Sequence, residues 1–350
     1  MEKRSSLEAG IRKSIAEKRE EIDLTQVSLT ASSYLQPGQL LPLVIQPTMD
    51  GVNLASWAAN NRDEIRTELA RHGGILFHNF MVDSPAKFEA FARAISGELF
   101  DEYGDLPREN QGAKVYGSTP YPADKSILFH NESSHMHRWP MKIWFYCVKA
   151  AERGGATPII DCRKIYQTLD PKIITRLTEK KLMYVRNFID GLDVSWQQFF
   201  QTADKARAED YCRKASIEWE WRGEKHLRTR QVCQAVAGHP HTGEMVFFNQ
   251  IQLHHISCLE PAVRESMLAM FREEDLPRNV YYGDGSRLED SVVAEISELY
   301  EQLAVRFQWQ AGDVVMLDNM LVAHARDPFE GTRKILVAMA EITSAKDIQQ

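Results

Sequence analysis

Three short apolar runs in the C-terminal third constrain this chain most. Asp313–Leu317 is followed by a turn at Asp318-Asn319, then by Leu321–Ala325, then by Lys334–Ile342. Runs of this length, bounded by polar turns, read as strands rather than helices. Similar strand-like runs occur at Ile75–Phe80, Lys142–Lys149, Thr157–Asp161 and Glu244–Gln250. Helical patterns separate them. Asn61–His72 is amphipathic, with Ile65 and Leu69 four apart, and Gly73-Gly74 ends it, because glycine tolerates the left-handed cap. Further helices are expected near 84–97, over Pro261–Glu274 and over Ser291–Phe307. The pattern predicts a mainly β fold with helices, a jelly-roll core carrying helical insertions. Residues 190–230, with Trp196, Trp219 and Trp221, read as such an insertion. Residues 1–50 read as an N-terminal arm, with a charged helix at 5–23 and an extended, proline-bearing stretch at 36–48. Residues 51–350 read as a single domain.

Composition narrows the function class. Hydrophobic residues make up 43% of the 350 and charged residues 26%, enough for a sizeable core. A net charge of −7 argues against a nucleic-acid binder, which needs a basic face for phosphates. No run has the length of a membrane-spanning helix, and the first residues are too polar for a secretory signal. The five cysteines form no CxxC pair, so neither a zinc ribbon nor a disulfide framework is suggested. Reduced thiols in a cytoplasmic protein are the expectation.

The segment FHNE, residues 129–132, carries the first chemical signal. His130 and Glu132 lie two apart, and on a strand such residues share a face, so both side chains can reach one ion. His324, after GDVVMLDNMLVAH, could complete the set from a wall of the barrel. Two histidines and one carboxylate leave three positions open on an octahedral metal, the pattern of non-haem iron(II) oxygenases. Eleven histidines make a chance triple easy, so the triple alone is weak. Arg333 follows His324 by nine residues and opens the strand RKILVAMAEI. A guanidinium fork there could pair with a carboxylate held beside the metal. Thr157, in GGATPI, could add a hydroxyl donor. Each has an ordinary reading alone, a surface charge and a packed methyl; jointly they point to an anchored co-substrate.

The stretches YPADKSILFHNESS (121–134), AERGGATPIID (151–161), MYVRNF (183–188), HPHTGEMVFFNQIQLHH (239–255) and GDVVMLDNMLVAHARDPFEGTRKILVAMAE (312–341) resemble the taurine/2,4-D dioxygenase family. Within it they resemble the branch typified by the syringomycin aspartyl hydroxylase. The resemblance spans most of residues 60–342. It implies a double-stranded β-helix core, iron(II) held by His130, Glu132 and His324, and 2-oxoglutarate anchored by Arg333 and Thr157. It also implies dioxygen as a reactant. The interval from His324 to Arg333 is shorter than in many relatives, which makes Arg326 a rival anchor. Related halogenases lack the carboxylate ligand, so Glu132 favours hydroxylation over halogenation. Desaturation and epoxidation differ only in substrate placement and stay open.

The expected substrate is an amino acid, free or tethered to a carrier protein, in specialised metabolism such as antibiotic biosynthesis. Ser133, Ser134 and Asn249 are candidate contacts at the pocket mouth. Arg222, Lys225, Arg228 and Arg230, in WRGEKHLRTR, form a basic cluster that could receive a substrate carboxylate or a phosphopantetheine arm. A solvated charged loop is the plainer reading. His135, His137, His254 and His255 could line the pocket or support the ligands; His239 and His241 flank a turn proline. Asn131, between two ligands, is expected to point away from the metal. Two rival classes use the same ligands: a cupin-like metal hydrolase or isomerase, which leaves Arg333 and Thr157 without a task, and a non-catalytic sensor.

Overall fold

The computed structural model describes residues 28–100, 114–117, 121–189, 191–224 and 226–348. The charged helix expected at 5–23 and Lys225 lie outside them. Eighteen strands are numbered in chain order: β1 (Thr30–Tyr34), β2 (Leu43–Pro47), β3 (Gly74–Phe77), β4 (Tyr116–Gly117), β5 (Ile127–His130), β6 (Arg138–Lys149), β7 (Arg153–Gly154), β8 (Ile159–Asp161) and β9 (Leu182–Phe188), then β10 (Glu218–Arg222), β11 (His226–Cys233), β12 (Val236–Gly238), β13 (Met245–Phe247), β14 (Arg278–Tyr282), β15 (Val314–Asp318), β16 (Val322–Arg326), β17 (Phe329–Glu330) and β18 (Lys334–Ser344).

The large sheet runs β1-β2-β3-β15-β6-β18-β4. Its central strands β3, β15, β6 and β18 are largely buried on both faces, which is why they read as almost continuous apolar runs. Alternation still sorts the side chains. Ile143, Phe145, Val315, Leu317, Val337 and Met339 join the interior cluster. Trp144, Tyr146, Val314, Met316, Leu336 and Ala338 face outward, against Phe88 and Phe91 of the helix Pro85–Ser96. That helix begins as expected, with Ser84 capping the Lys87 amide and proline in its first turn.

A smaller sheet, β5-β16-β8, lies across the interior, sharing its apolar cluster through Phe129, Ile159 and Ala323. Two sheets around one apolar interior make the jelly-roll core. Gly73 shows how closely the outer layer meets it. Its φ is 77°, the left-handed cap of the helix Arg62–His72. A Cβ there would come within 2.7 Å of Val322 Cγ2, on the strand that carries His324. Glycine is therefore required by backbone conformation and by space.

The helical insertion expected at 190–230 is only half helical. Trp196–Phe199 and Lys205–Lys214 are helices, but β10 and β11 form a hairpin within a four-stranded sheet, β10-β11-β9-β14. The sequence EWEWR explains the difference: its period of two seats Trp219 and Trp221 on one face. There they pack near Phe188, Trp196, Phe199 and Leu227. Met136, four residues after Glu132, belongs to the same cluster, so the insertion is seated beside the FHNE segment. The hairpin β1–β2 was not legible as strands, because β1 is mostly exposed and polar. Among the described residues, no helix is long and apolar enough to cross a membrane.

Candidate active site

Antiparallel pairing of β5 with β16 sets His130 directly opposite His324. The two ligand candidates are therefore neighbours on adjacent strands, not residues from facing walls. Their ring centroids lie 4.3 Å apart. Glu132 joins them: one ligand atom from each of the three lies within 4.8 Å of the others, the sole such group among the described residues.

His130 and Glu132 do not share a strand face, contrary to expectation. β5 ends at His130, and Glu132 sits in the following turn, just before Ser133 with φ 57°. Strand alternation does not reach Glu132. Other groups hold the segment instead. Gln252 Oε1 accepts from the Phe129 amide at 3.0 Å, and Gln250 Nε2 donates to the Asn131 carbonyl at 2.9 Å. Asn319 Oδ1 accepts from the Glu132 amide at 2.8 Å. Asn131 points away, as expected, donating to the Asn319 carbonyl at 2.7 Å.

The donor set suits a divalent metal. His130 Nδ1 lies 2.8 Å from the Leu128 carbonyl, an acceptor that requires the proton on Nδ1. Nε2 then carries the lone pair a metal needs. Phe145 packs against His324 with centroids 4.9 Å apart, giving that imidazole an apolar wall. Ile127, Phe145, Ile335 and Val337 line the pocket around the triad.

Arg333 and Thr157 line the same pocket. Arg333 Nη2 donates to Thr157 Oγ1 at 3.1 Å, and Nε donates to the Gly155 carbonyl at 2.9 Å. Trp309 Nε1 also donates to Thr157 Oγ1, at 3.1 Å. Two donors fill the acceptor capacity of this hydroxyl, so its own proton is left to point at a third group. Arg333 forms no ion pair with a carboxylate among the described residues. Burial, with Arg326 nearby as a second cation, pushes its guanidinium down to about 10. It stays charged at neutral pH, and a carboxylate brought into the pocket would relieve that penalty. Arg326 also lines the pocket, yet its Nη groups donate to the Tyr121, Pro122 and Lys125 carbonyls at 3.1, 2.5 and 2.5 Å. It is committed to that loop, which makes it the weaker anchor.

The four substrate candidates have other tasks. Ser134 is fully buried and donates to the Asn131 carbonyl at 2.9 Å. Asn249 Nδ2 donates to the Ala235 carbonyl, and its Oδ1 accepts from the Ile251 amide. Arg228 is buried, donating to Asn187 Oδ1, the Glu274 carbonyl and Asp275 Oδ1 at 2.6, 2.7 and 2.5 Å. Arg230 lies 3.5 Å from Glu220, diagonal to it across the hairpin. Arg222 pairs with Asp275 at 2.6 Å. Arg222, Arg228 and Arg230 thus each face a carboxylate of the fold, and none of the four candidates lines the pocket of the triad. His135 and His254 are buried ring neighbours with centroids 4.9 Å apart. His239 Nε2 lies 3.1 Å from Asp318 Oδ2. Trp309, Gln250, Gln252 and Asn319 were not among the expected site residues, since an amide or an indole carries no ligand signal of its own.

The family model described as taurine catabolism dioxygenase TauD, TfdA family matches residues 34–339. The chain belongs to this family. It is a dioxygenase that takes iron(II) as metal and 2-oxoglutarate as co-substrate. Among curated relatives, the dapdiamide synthesis protein DdaC of Enterobacter agglomerans is 39% identical over 280 residues, 80% of this chain and 84% of its own. A clavaminate synthase-like protein of Arabidopsis thaliana is 28% identical over 287 residues, covering 78% and 83%. Two structures of PvcB match at 14% identity. The one from Pseudomonas aeruginosa has a TM-score of 0.55, covering 89% of this chain and 91% of its own. The other, described as an Fe, alpha-ketoglutarate dependent oxygenase from an isonitrile synthetic pathway, scores 0.56 with 92% and 97% covered. At that identity the likeness shows the fold, the double-stranded β-helix with helices outside it.

Proposed function

We propose that this dioxygenase hydroxylates an amino acid or a carrier-tethered aminoacyl group in specialised metabolism, with His130, Glu132 and His324 as metal ligands and Arg333 with Thr157 as the anchor for 2-oxoglutarate. One observation carries the residue assignment. A half-buried two-histidine, one-carboxylate group shares a single pocket with an arginine that lacks a carboxylate partner among the described residues. A hydrolase or isomerase has no use for that arginine, and the family is one of dioxygenases. The substrate class rests on the identity with a dapdiamide synthesis protein.

When bound, the metal and 2-oxoglutarate supply oxidative decarboxylation coupled to oxygen insertion into a substrate C–H bond. This chain's residues do the rest. Arg333 and the Thr157 hydroxyl hold the distal carboxylate of the co-substrate by charge-assisted bonds. Ile127, Phe145, Ile335 and Val337 exclude water around it. The basic hairpin no longer argues for a carrier partner, so the free amino acid gains weight.

Two measurements test the reading. Anaerobic addition of iron(II) and then 2-oxoglutarate should produce the weak visible charge-transfer band of the chelate, absent in His324→Ala. Succinate formation should then be assayed with amino acids supplied free and carrier-loaded. No band in the parent protein defeats the ligand assignment; inactivity on every aminoacyl substrate defeats the substrate class. An epoxidised or desaturated product would keep the site and replace the reaction.

A further inference from the structure

We infer that Asn319 is a positioning residue for the metal site, holding Glu132 in its ligating geometry; this rests on the reading of Glu132 as a ligand. Glu132 lies beyond the end of β5, outside the ladder that fixes His130. A half-buried backbone amide and carbonyl still need partners there. One carboxamide provides them on both sides of the residue. Asn319 Oδ1 accepts from the Glu132 amide at 2.8 Å, and Asn319 Nδ2 donates to the Glu132 carbonyl at 2.9 Å. The same Nδ2 donates to the Pro140 carbonyl at 2.9 Å, tying the turn to the start of β6. The Asn319 side chain therefore replaces the missing strand.

The clasp is itself fixed. Asn319 is fully buried, its amide donates to the Met141 carbonyl at 2.8 Å, and its carbonyl accepts from Asn131 Nδ2. Asp318 Oδ1 accepts from the Met320 and Leu321 amides, closing the turn. That turn joins β15 to β16, and β16 carries His324. A single hairpin thus delivers one ligand by its strand and orients a second by its turn. The two halves of the triad, nearly two hundred residues apart in sequence, are set by one rigid element. A general property of metal sites gives the scale: groups that orient ligands change metal affinity about 10- to 100-fold when removed.

The test is a double-mutant cycle on the full chain, read by affinity for cobalt(II) alone, without co-substrate or turnover. Asn319→Ala should weaken cobalt binding about 10- to 100-fold. In a Glu132→Ala background the same change should alter affinity less than about two-fold, because the group it positions is gone. Ser134→Ala, which removes a different buried bond in the same turn, should leave affinity within about two-fold. Asn319→Ser, which keeps one donor and one acceptor, should fall between parent and alanine; it also serves if the alanine variant fails to fold. Equal weakening by Asn319→Ala in both backgrounds overturns the inference, since that is general loosening. So does lower thermal stability with unchanged affinity. If Glu132→Ala leaves affinity intact, the ligand assignment itself fails, an outcome distinct from either.

Discussion

Residues 129–132 and 222–230 are both short, polar and conspicuous, yet the fold treats them in opposite ways. In the first, distant side chains bond to the backbone: Gln252 to Phe129, Gln250 to Asn131, Asn319 to Glu132. His130 and Glu132 keep their ligand atoms turned toward His324 and the pocket. In the second, the charged side chains themselves are taken up. Arg228 and Arg222 share Asp275, and Arg230 lies near Glu220. The difference teaches where chemistry is kept. A segment is available for function when its surroundings fix the backbone and gather its side chains around one pocket, and it is structural when the side chains themselves bind the fold together.

The largest effect that could break this comparison is at the metal end. His130→Ala and His324→Ala should each abolish measurable iron(II) binding and bring succinate formation to background, because two ligands no longer define the site. Normal coupled turnover in either variant removes that residue from the set. Next comes the hairpin. Arg228→Ala should lower unfolding stability by about 3 kcal/mol, since it leaves the buried Asn187 Oδ1 without its donor and takes one partner from Asp275. Urea midpoints check this, and metal affinity of the folded protein should be unchanged. Unaltered stability with selective loss of carrier-loaded turnover would restore the basic segment as a docking surface.

Third, Arg333→Ala should raise the 2-oxoglutarate requirement about 10- to 100-fold, the equivalent of about 1.5–3 kcal/mol, while leaving cobalt or iron binding intact. Arg326→Ala should act mainly on stability, because it frees three loop carbonyls. The reverse pattern would move the anchor to Arg326. The smallest effect is at Arg230, part-exposed and 3.5 Å from Glu220. Arg230→Glu should change stability by less than about 1 kcal/mol, and added salt should not alter turnover of a free amino acid.

Much of the site was legible because its residue types are unusual in combination. A histidine–x–glutamate pair, a distant histidine after an apolar run and an arginine opening the last strand mark one chemistry. For the first pair, alternation holds only while the strand lasts, and β5 stops at His130. The substrate candidates were harder to read for a related reason. Ser134 and Asn249 are polar residues next to functional motifs, and such residues are as often backbone partners as ligand contacts.

The sequence by itself determined the local elements and the inventory of reactive groups. Period and turn chemistry are local, so the helix at Arg62–His72, its Gly73 cap and the closing strands could be read along the chain. Family motifs likewise carry their meaning in one dimension. Only the tertiary structure decided which charges are paired, which amides brace the candidate ligands, and that His130 and His324 meet as cross-strand neighbours. Pairing register and ion-pair partners join residues far apart in sequence. Arg228 and Asp275 lie 47 positions apart, and Glu132 and Asn319 lie 187 apart. No local preference encodes such pairs; they follow from which apolar faces pack together, and that is settled only when the whole chain has folded.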